Sequence, residues 1–208
     1  MARYTGPVCR LCRREGEKLY LKAERCHTSK CAIDKRQFPP GERRWYRRRQ
    51  SEYGRQLREK QKVKRMYGVL ERQFRNVFAN AEQERGITGE ALLRRLELRL
   101  DNVMFRMGLA GSRRQARQYI NHGHVYVNGD RIDRPSFLVE PDDKIELHDR
   151  MKENEQVEQS ISLAKQRGVK GWLELEDGGR GKVLRPPERE DIDDVEIEEQ
   201  LIVELYSK

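Results

Sequence analysis

Long apolar runs are missing from this 208-residue sequence. Nothing in it approaches the ~20 consecutive apolar residues that span a bilayer, and no stretch near the start resembles a signal peptide, so a cytosolic protein with no membrane partner is expected. Apolar residues of any kind are scarce, 36% against 38% charged, which excludes one large dry core and favours several thin ones or an extended arm. Cysteine is confined to four positions within the first 31 residues, so in a reducing compartment no disulfide framework holds the chain. No glycine-rich loop opens a helix after a strand. Asp177-Gly178-Gly179-Arg180-Gly181 reads as a hairpin turn, and neither a nucleotide cofactor nor a small-molecule substrate is expected.

Positive charge is abundant and uneven. The net charge of +9 conceals 21 Lys and Arg against 7 Asp and Glu in residues 1–65, and 10 against 16 in residues 149–208. A polyanionic partner for the amino-terminal third follows, and since that third lacks the wide apolar face of an interfacial helix, the partner is nucleic acid. The densest tract holds Lys35, Arg36, Arg43, Arg44, Arg47, Arg48, Arg49, Arg55, Arg58, Lys60, Lys62, Lys64 and Arg65 against Glu42, Glu52 and Glu59. Trp45, Tyr46 and Tyr53 interleave with it, rings that can stack on bases or sugars. Phe38-Pro39-Pro40-Gly41 makes a turn and linker ahead of the tract, and the Glu, Gln and Leu content of Glu52 to Val69 predicts helix.

The cysteines stand as Cys9-x-x-Cys12 and, after thirteen residues, Cys26-x-x-x-x-Cys31. Two close pairs separated by such a loop place four thiolates at the corners of a tetrahedron, as structural zinc requires. An iron-sulfur cluster also suits four thiolates, and two disulfides or a site that has lost its metal are the remaining readings. Four thiolates leave no open coordination position, so the metal is not catalytic; His27 is then RNA-facing or lies beside the ligands. The need for a metal is one of size. The first forty residues offer Val8, Leu11, Leu19, Tyr20 and Leu21 and little else to bury, too few to overcome chain entropy. Structural zinc contributes roughly 10–16 kcal/mol in finger peptides, enough to fix a loop carrying Arg3, Arg10, Arg13, Arg14, Lys18, Lys22, Arg25 and Lys30 on its outside.

Glu97 to Leu147 organises the rest of the chain. Leu96, Leu100, Val103, Met104 and Met107 recur at helical spacing, which turns one stripe inward, leaves Arg99 and Arg106 off it, and ends the helix at Gly108. Ser112 stands three residues before Gln115, a reciprocal capping arrangement that starts a second helix from Arg113 to about Asn121. Ala116, Tyr119 and Ile120 point inward there. Arg113, Arg114 and Arg117 crowd its first turns, where the positive end of the helix adds to their charge and suits a phosphate. Gly123 closes the helix in the left-handed conformation, and Val125-Tyr126-Val127 before Asn128-Gly129 is a strong hairpin signal. The unit is helix, helix, hairpin. R-L-D-N-V at Arg99 to Val103, S-R-R-Q-A-R at Ser112 to Arg117 and H-G-H-V-x-V-N-G at His122 to Gly129 closely resemble the RNA-binding module named after small-subunit ribosomal protein S-four.

Met66, Val69, Leu70, Phe74, Val77 and Phe78 predict one amphipathic helix over 66–81, and Gly86-Ile87-Thr88-Gly89 breaks the chain before a helix from Glu90 to Leu100. After the module, 149–167 reads as helical with Val157, Ile161 and Leu163 or Ala164 inward. Trp172 to Glu176 and Lys182 to Leu184 form a hairpin, and Leu201 to Tyr206 is a last strand or helix that closes back on the body.

The resemblance extends along almost the whole chain: A-R-Y-T-G-P at Ala2 to Pro7, R-Q-F-P-P-G at Arg36 to Gly41, E-x-Q-K-V-K-R-x-Y-G at Glu59 to Gly68, W-L at Trp172 and L-I-V-E-x-Y-S-K at Leu201 to Lys208 look like the bacterial S-four ribosomal family. Membership of that family implies an α+β fold: a zinc-stabilised arm over 1–45, a helical subdomain over 46–96 completed by 197–208, and a subdomain over 97–196 carrying the module at 97–147 on a small antiparallel sheet. It implies a primary binder of small-subunit ribosomal RNA that attaches early and helps fold a multi-helix junction. It also implies a place beside ribosomal protein S-five, messenger RNA close by where it enters, a role in translational accuracy and, in some bacteria, repression of the protein's own messenger. Family members without the cysteines make the metal a feature of one branch.

Binding is then the function. Lys and Arg neutralise phosphates, and shape supplies much of the specificity. The candidate contacts are Arg113, Arg114, Arg117, His122, His124 and Asn128 at the module, the Lys35–Arg65 tract, and Arg3, Arg13, Arg14, Lys22 and Arg25 of the arm. An RNA-modifying enzyme carrying the same module is the rival, since Arg99-Leu100-Asp101 resembles a synthase loop. The chain, however, has no room for a further ~200-residue catalytic domain. A free regulator that visits ribosomes is the third reading.

Overall fold

The structure, a computed structural model, describes residues 4–41, 51–176 and 178–207. Of the residues singled out above, Arg3, Glu42, Arg43, Arg44, Arg47, Arg48, Arg49 and Asp177, with Trp45 and Tyr46, lie outside the described residues. The fold is α+β and divides into two compact units, Met1–Leu93 with Asp193–Lys208, and Arg94–Ile192.

In the first unit, α1 (Cys9–Glu15) ends at Gly16, whose positive φ of 83° lets its N–H return to the Cys12 carbonyl. A 3-10 turn over Ala23–His27 and the short α2 (Ala32–Lys35) complete the arm. The buried residues of segment 4–41 are Val8, Leu19, Cys12, Cys26 and Cys31, so three of five are thiols. Helix α3 (Glu52–Met66) starts where the Ser51 hydroxyl accepts from the Gly54 N–H, and α4 (Glu71–Glu82) buries Phe74 and Phe78. Against these two rings stacks Tyr206 of α10 (Glu199–Tyr206), at centroid distances of 6.2 and 4.5 Å. Helix α10 also runs along α3, and Gln56 there donates to Glu204 at 3.0 Å. The expected single helix over 66–81 is interrupted: α3 stops at Met66, Gly68 turns the chain with φ 62°, and Leu70, expected in the apolar stripe, is 41% exposed.

The second unit contains α6 (Leu100–Met107) and α7 (Arg113–Asn121), packed on a five-stranded antiparallel sheet of β1 (Val125–Val127), β2 (Asp130–Arg131), β3 (Lys144–Leu147), β4 (Leu173–Glu176) and β5 (Arg180–Val183) in the order β2-β1-β3-β5-β4. Leu100, Val103, Met104, Met107, Ala116, Ile120, Val125, Ile145, Leu147, Trp172 and Val183 form its core. Gly181 lets β5 approach α6, since a side chain there would stand 2.8 Å from the Met107 sulfur. Between β1 and β2, Asn128 (φ 52°) and Gly129 (φ 90°) both take the positive φ that a two-residue type I′ hairpin demands. Two helices follow β3: α8 (Asp149–Lys152), and α9 (Glu155–Arg167) capped by Asn154.

The stripe from Leu96 to Met107, expected on one helix, is divided between two, α5 (Thr88–Glu97) and α6. Arg99 is extended (φ −66°, ψ 134°) and bridges Leu138, while the Leu100 and Asp101 N–H groups donate to the Phe137 and Pro135 carbonyls. The backbone donors there find long-range partners in place of helical ones, and apolar spacing alone does not reveal that exchange.

Candidate nucleic-acid interface

Helix α7 begins as its sequence requires. The Ser112 hydroxyl accepts from the Gln115 N–H at 3.3 Å, and the Gln115 carbonyl oxygen accepts from the Gly111 N–H at 2.9 Å, one residue earlier than a strict capping box. The three arginines of its first turns divide. Arg114 is exposed. Arg113 is buried, donates to Asn102 at 2.7 Å and lies 4.6 Å over the Phe105 ring. Arg117 is partly buried, and its Nε donates to Asp101 at 2.6 Å.

Asp101, itself 1% exposed, also takes both nitrogens of Arg99, at 3.1 and 3.0 Å. Glu97 does the same for Arg106, at 3.0 and 2.6 Å, and accepts from Asn102 at 2.6 Å. Arg99 and Arg106, expected off the inward stripe, are therefore interior groups carried by two carboxylates. Buried guanidinium ions demand such partners. Arg99 and Arg117 share Asp101, Arg106 takes Glu97, and Arg113 joins them through Asn102, so buried acids fix the cations around the start of α7.

The basic helix α3 is likewise partly spent within its own unit. Lys60 and Lys64 reach Glu71 at 2.6 and 2.8 Å; Lys62 reaches Glu59 at 2.9 Å and the Glu196 carbonyl at 2.6 Å. Arg58 and Arg65 both grip Glu15, at the end of α1, whose carboxyl burial pushes up despite the two guanidiniums. Arg13 holds the Phe38 and Pro39 carbonyls at 3.0 and 3.3 Å and so ties α1 to the Pro-Pro turn. Arg14, Lys22, Arg25, Lys35, Arg36 and Arg55 remain exposed.

All four cysteines are free thiols and line one small pocket with Lys22, Arg25, Ala32 and Ile33. The Lys22 N–H donates to the Cys26 sulfur at 3.2 Å, a bond that favours thiolate. Burial, reinforced by the other three sulfurs, pushes Cys12 up to about 11 against the pull of a Leu19 backbone bond, and burial raises Cys26 too. Among the described residues no group of three or more His, Cys, Asp or Glu side chains is gathered closely enough to hold an ion as placed. The donor set fits a thiophilic metal by type, number and shared pocket.

At the far end of α7, His122 is exposed and His124 half-buried, and their ring centroids are 6.0 Å apart. The Asn128 side chain is occupied by the start of β3, donating to Asp143 at 2.7 Å and accepting from the Lys144 N–H at 2.9 Å. Sequence reasoning missed the carboxylate pair of Glu97 and Asp101, whose burial no local signal gives, and His148, which β3 returns to within 6.4 Å of His124.

A capped helix pair leading into a type I′ hairpin, with cations around the second helix start, is the architecture of a helix-helix-hairpin RNA-binding protein. Residues 98–145 match the family described as S4 domain, and residues 3–97 the family described as Ribosomal protein S4/S9 N-terminal domain. Small ribosomal subunit protein uS4 of Natranaerobius thermophilus is 56% identical over 210 residues, and that of Thermodesulfovibrio yellowstonii 55% over 209, each alignment covering all of both chains. The Thermus thermophilus protein of the same name is 52% identical, again over the full length of both. The chain belongs to the uS4 family of small ribosomal subunit proteins. Among the described residues no helix is long and apolar enough to cross a membrane.

Proposed function

We propose that this protein is a structural constituent of the small ribosomal subunit in the cytoplasm, binding small-subunit ribosomal RNA and doing no chemistry of its own. Full-length similarity to uS4 proteins carries this reading. Arg114, exposed at the start of α7, and the exposed cations of the arm supply its physical basis. Early attachment that nucleates assembly, contact with ribosomal protein S-five, nearness to messenger RNA, an influence on accuracy and repression of its own messenger are the finer parts of the proposal. A filter-binding series with small-subunit ribosomal RNA tests it. Affinity falls steeply with salt, with a slope of about −0.7 to −0.9 for each phosphate neutralised; an affinity indifferent to salt would overturn it.

The second part of the proposal is structural zinc on Cys9, Cys12, Cys26 and Cys31, in preference to an iron-sulfur cluster. Bound there, the ion supplies cross-linking of the arm, whose interior otherwise consists of Val8, Leu19 and the thiols themselves. Cys26→Ser is expected to lose the metal and the order of the first ~40 residues. Unchanged metal content in that variant would refute the ligand set.

A further inference from the structure

Among the described residues the non-glycines with a positive φ are Tyr20 (50°), Ala23 (40°), Asn128 (52°) and Asp142 (69°). Asn128 and Asp142 stand in turns, and their short polar side chains tolerate the left-handed region. Tyr20 and Ala23 have no such means, because the Cβ of an L residue is pressed there toward the following carbonyl oxygen. They lie on either side of Lys22, which lines the cysteine pocket. Strain concentrated in this way marks a backbone held in place by what surrounds it.

What the strain secures is visible in the backbone between the two residues. The Lys22 N–H donates to the Cys26 sulfur at 3.2 Å, and backbone bonds from Leu19 and Leu21 reach Cys12 and Cys26. Left-handed residues in a turn let successive N–H groups converge on one side, as in the backbone concavities that hold anions. Four thiolates on a divalent ion would leave two negative charges in a mostly buried site, Cys12, Cys26 and Cys31 each being 8% exposed. The converging N–H groups, with Lys22 and Arg25 on the pocket wall, offset that charge. Tyr20 adds a clamp: its ring stacks on His27 at a centroid distance of 5.1 Å and ties the loop to the 3-10 turn that carries Cys26.

We propose that the loop from Leu19 to Ala23 is a positioning loop for the metal, in which Tyr20 and Ala23 are held in left-handed backbone to aim N–H groups at the Cys12 and Cys26 sulfurs. The inference rests on the zinc reading and deepens it, since metal affinity is then set by backbone strain as well as by the four ligands. The arm has too little apolar interior to order itself, so metal binding and arm folding are one event, and strain at Ala23 weighs against the loaded state alone. Ala23 is the simpler probe: it contributes a methyl group, whereas Tyr20 also contributes its stack.

The test is competition for Zn2+ between the full-length protein and a colorimetric chelator, with Co2+ absorption as the check on thiolate coordination. Ala23→Gly is expected to bind Zn2+ about 3- to 10-fold tighter than wild type with the same Co2+ spectrum, since glycine meets no strain at this φ but is ordered from a freer chain. Ala23→Val, whose branched side chain suits this region least, is expected to bind on the order of tenfold weaker. Asp142→Gly, the same relief of a positive φ in the second unit, is expected to leave metal affinity unchanged. Equal affinity in wild type and Ala23→Gly, weaker binding by Ala23→Gly, or an equal gain in Asp142→Gly overturns the positioning loop and leaves the zinc reading standing. A wild type that takes up neither ion overturns that reading and the loop with it. The glycine variant decides the matter even if Ala23→Val does not fold.

Discussion

Asp101 sets the behaviour of two arginines at once. It stands between Arg99 and Arg117, shielded from water, so removing it strands charge where no solvent replaces it. Asp101→Ala is expected to cost about 3–5 kcal/mol, read as a lower urea midpoint with the slope unchanged. A loss under about 1 kcal/mol would mean that the pair behaves as a surface salt bridge. Glu71 makes a different, pH-dependent contribution. Burial alone would raise its carboxyl, but the hydrogen bonds and charges of Lys60 and Lys64 outweigh that and bring it from 4.5 down to about 2. A carboxyl held low in the folded state stabilises fully above its ordinary value and loses that effect as pH falls through the folded one. The advantage of the wild type over Glu71→Gln in thermal melts should therefore hold at neutrality and fade between about pH 4.5 and 2. A gap unchanged across that window would exclude the role of the lysines.

At the scale of the secondary-structure element, β5 leaves little room for change. A Cβ at its Gly181 would stand 2.8 Å from both the Glu174 carbonyl and the Met107 sulfur of α6, so Gly181→Val is expected to cost about 1–3 kcal/mol or more through forced separation of sheet and helix. A melting temperature equal to wild type would show that the two elements yield freely. How much of the fold was legible beforehand depended on the range of the forces involved. Ser112 with Gln115 and Asn128 with Gly129 act over three residues or fewer, and the sequence reading located α7 and the hairpin closely. The break before α6 was invisible because Phe137 and Pro135 supply its acceptors from more than thirty residues away. For the same reason the tract from Lys35 to Arg65 read as a set of RNA contacts with no partners of its own. Glu15 and Glu71, which engage Arg58, Arg65, Lys60 and Lys64, are recognisable as partners only once α1 and α4 lie against α3. Of the candidate RNA contacts, Arg114 and His122 are exposed as expected, whereas Arg113 is an interior residue that shapes the face from within.

For the whole molecule, the proposed metal ties chain order to metal supply. Chelation of the purified protein is expected to raise proteolytic cutting within the first ~40 residues while the α6–α7 module stays protected. Cutting that spreads evenly along the chain would count against a local role for the cysteines. The interior placement of Arg99, Arg106 and Arg113 has a last consequence, for handling as much as for biology. Mobile ions crowd the open faces of a protein and hardly reach its inside, so concentrated brine should strip away the nucleic acid long before it disturbs the helices. The protein is expected to come off its ribosomal scaffold intact and to bind again once the brine is diluted.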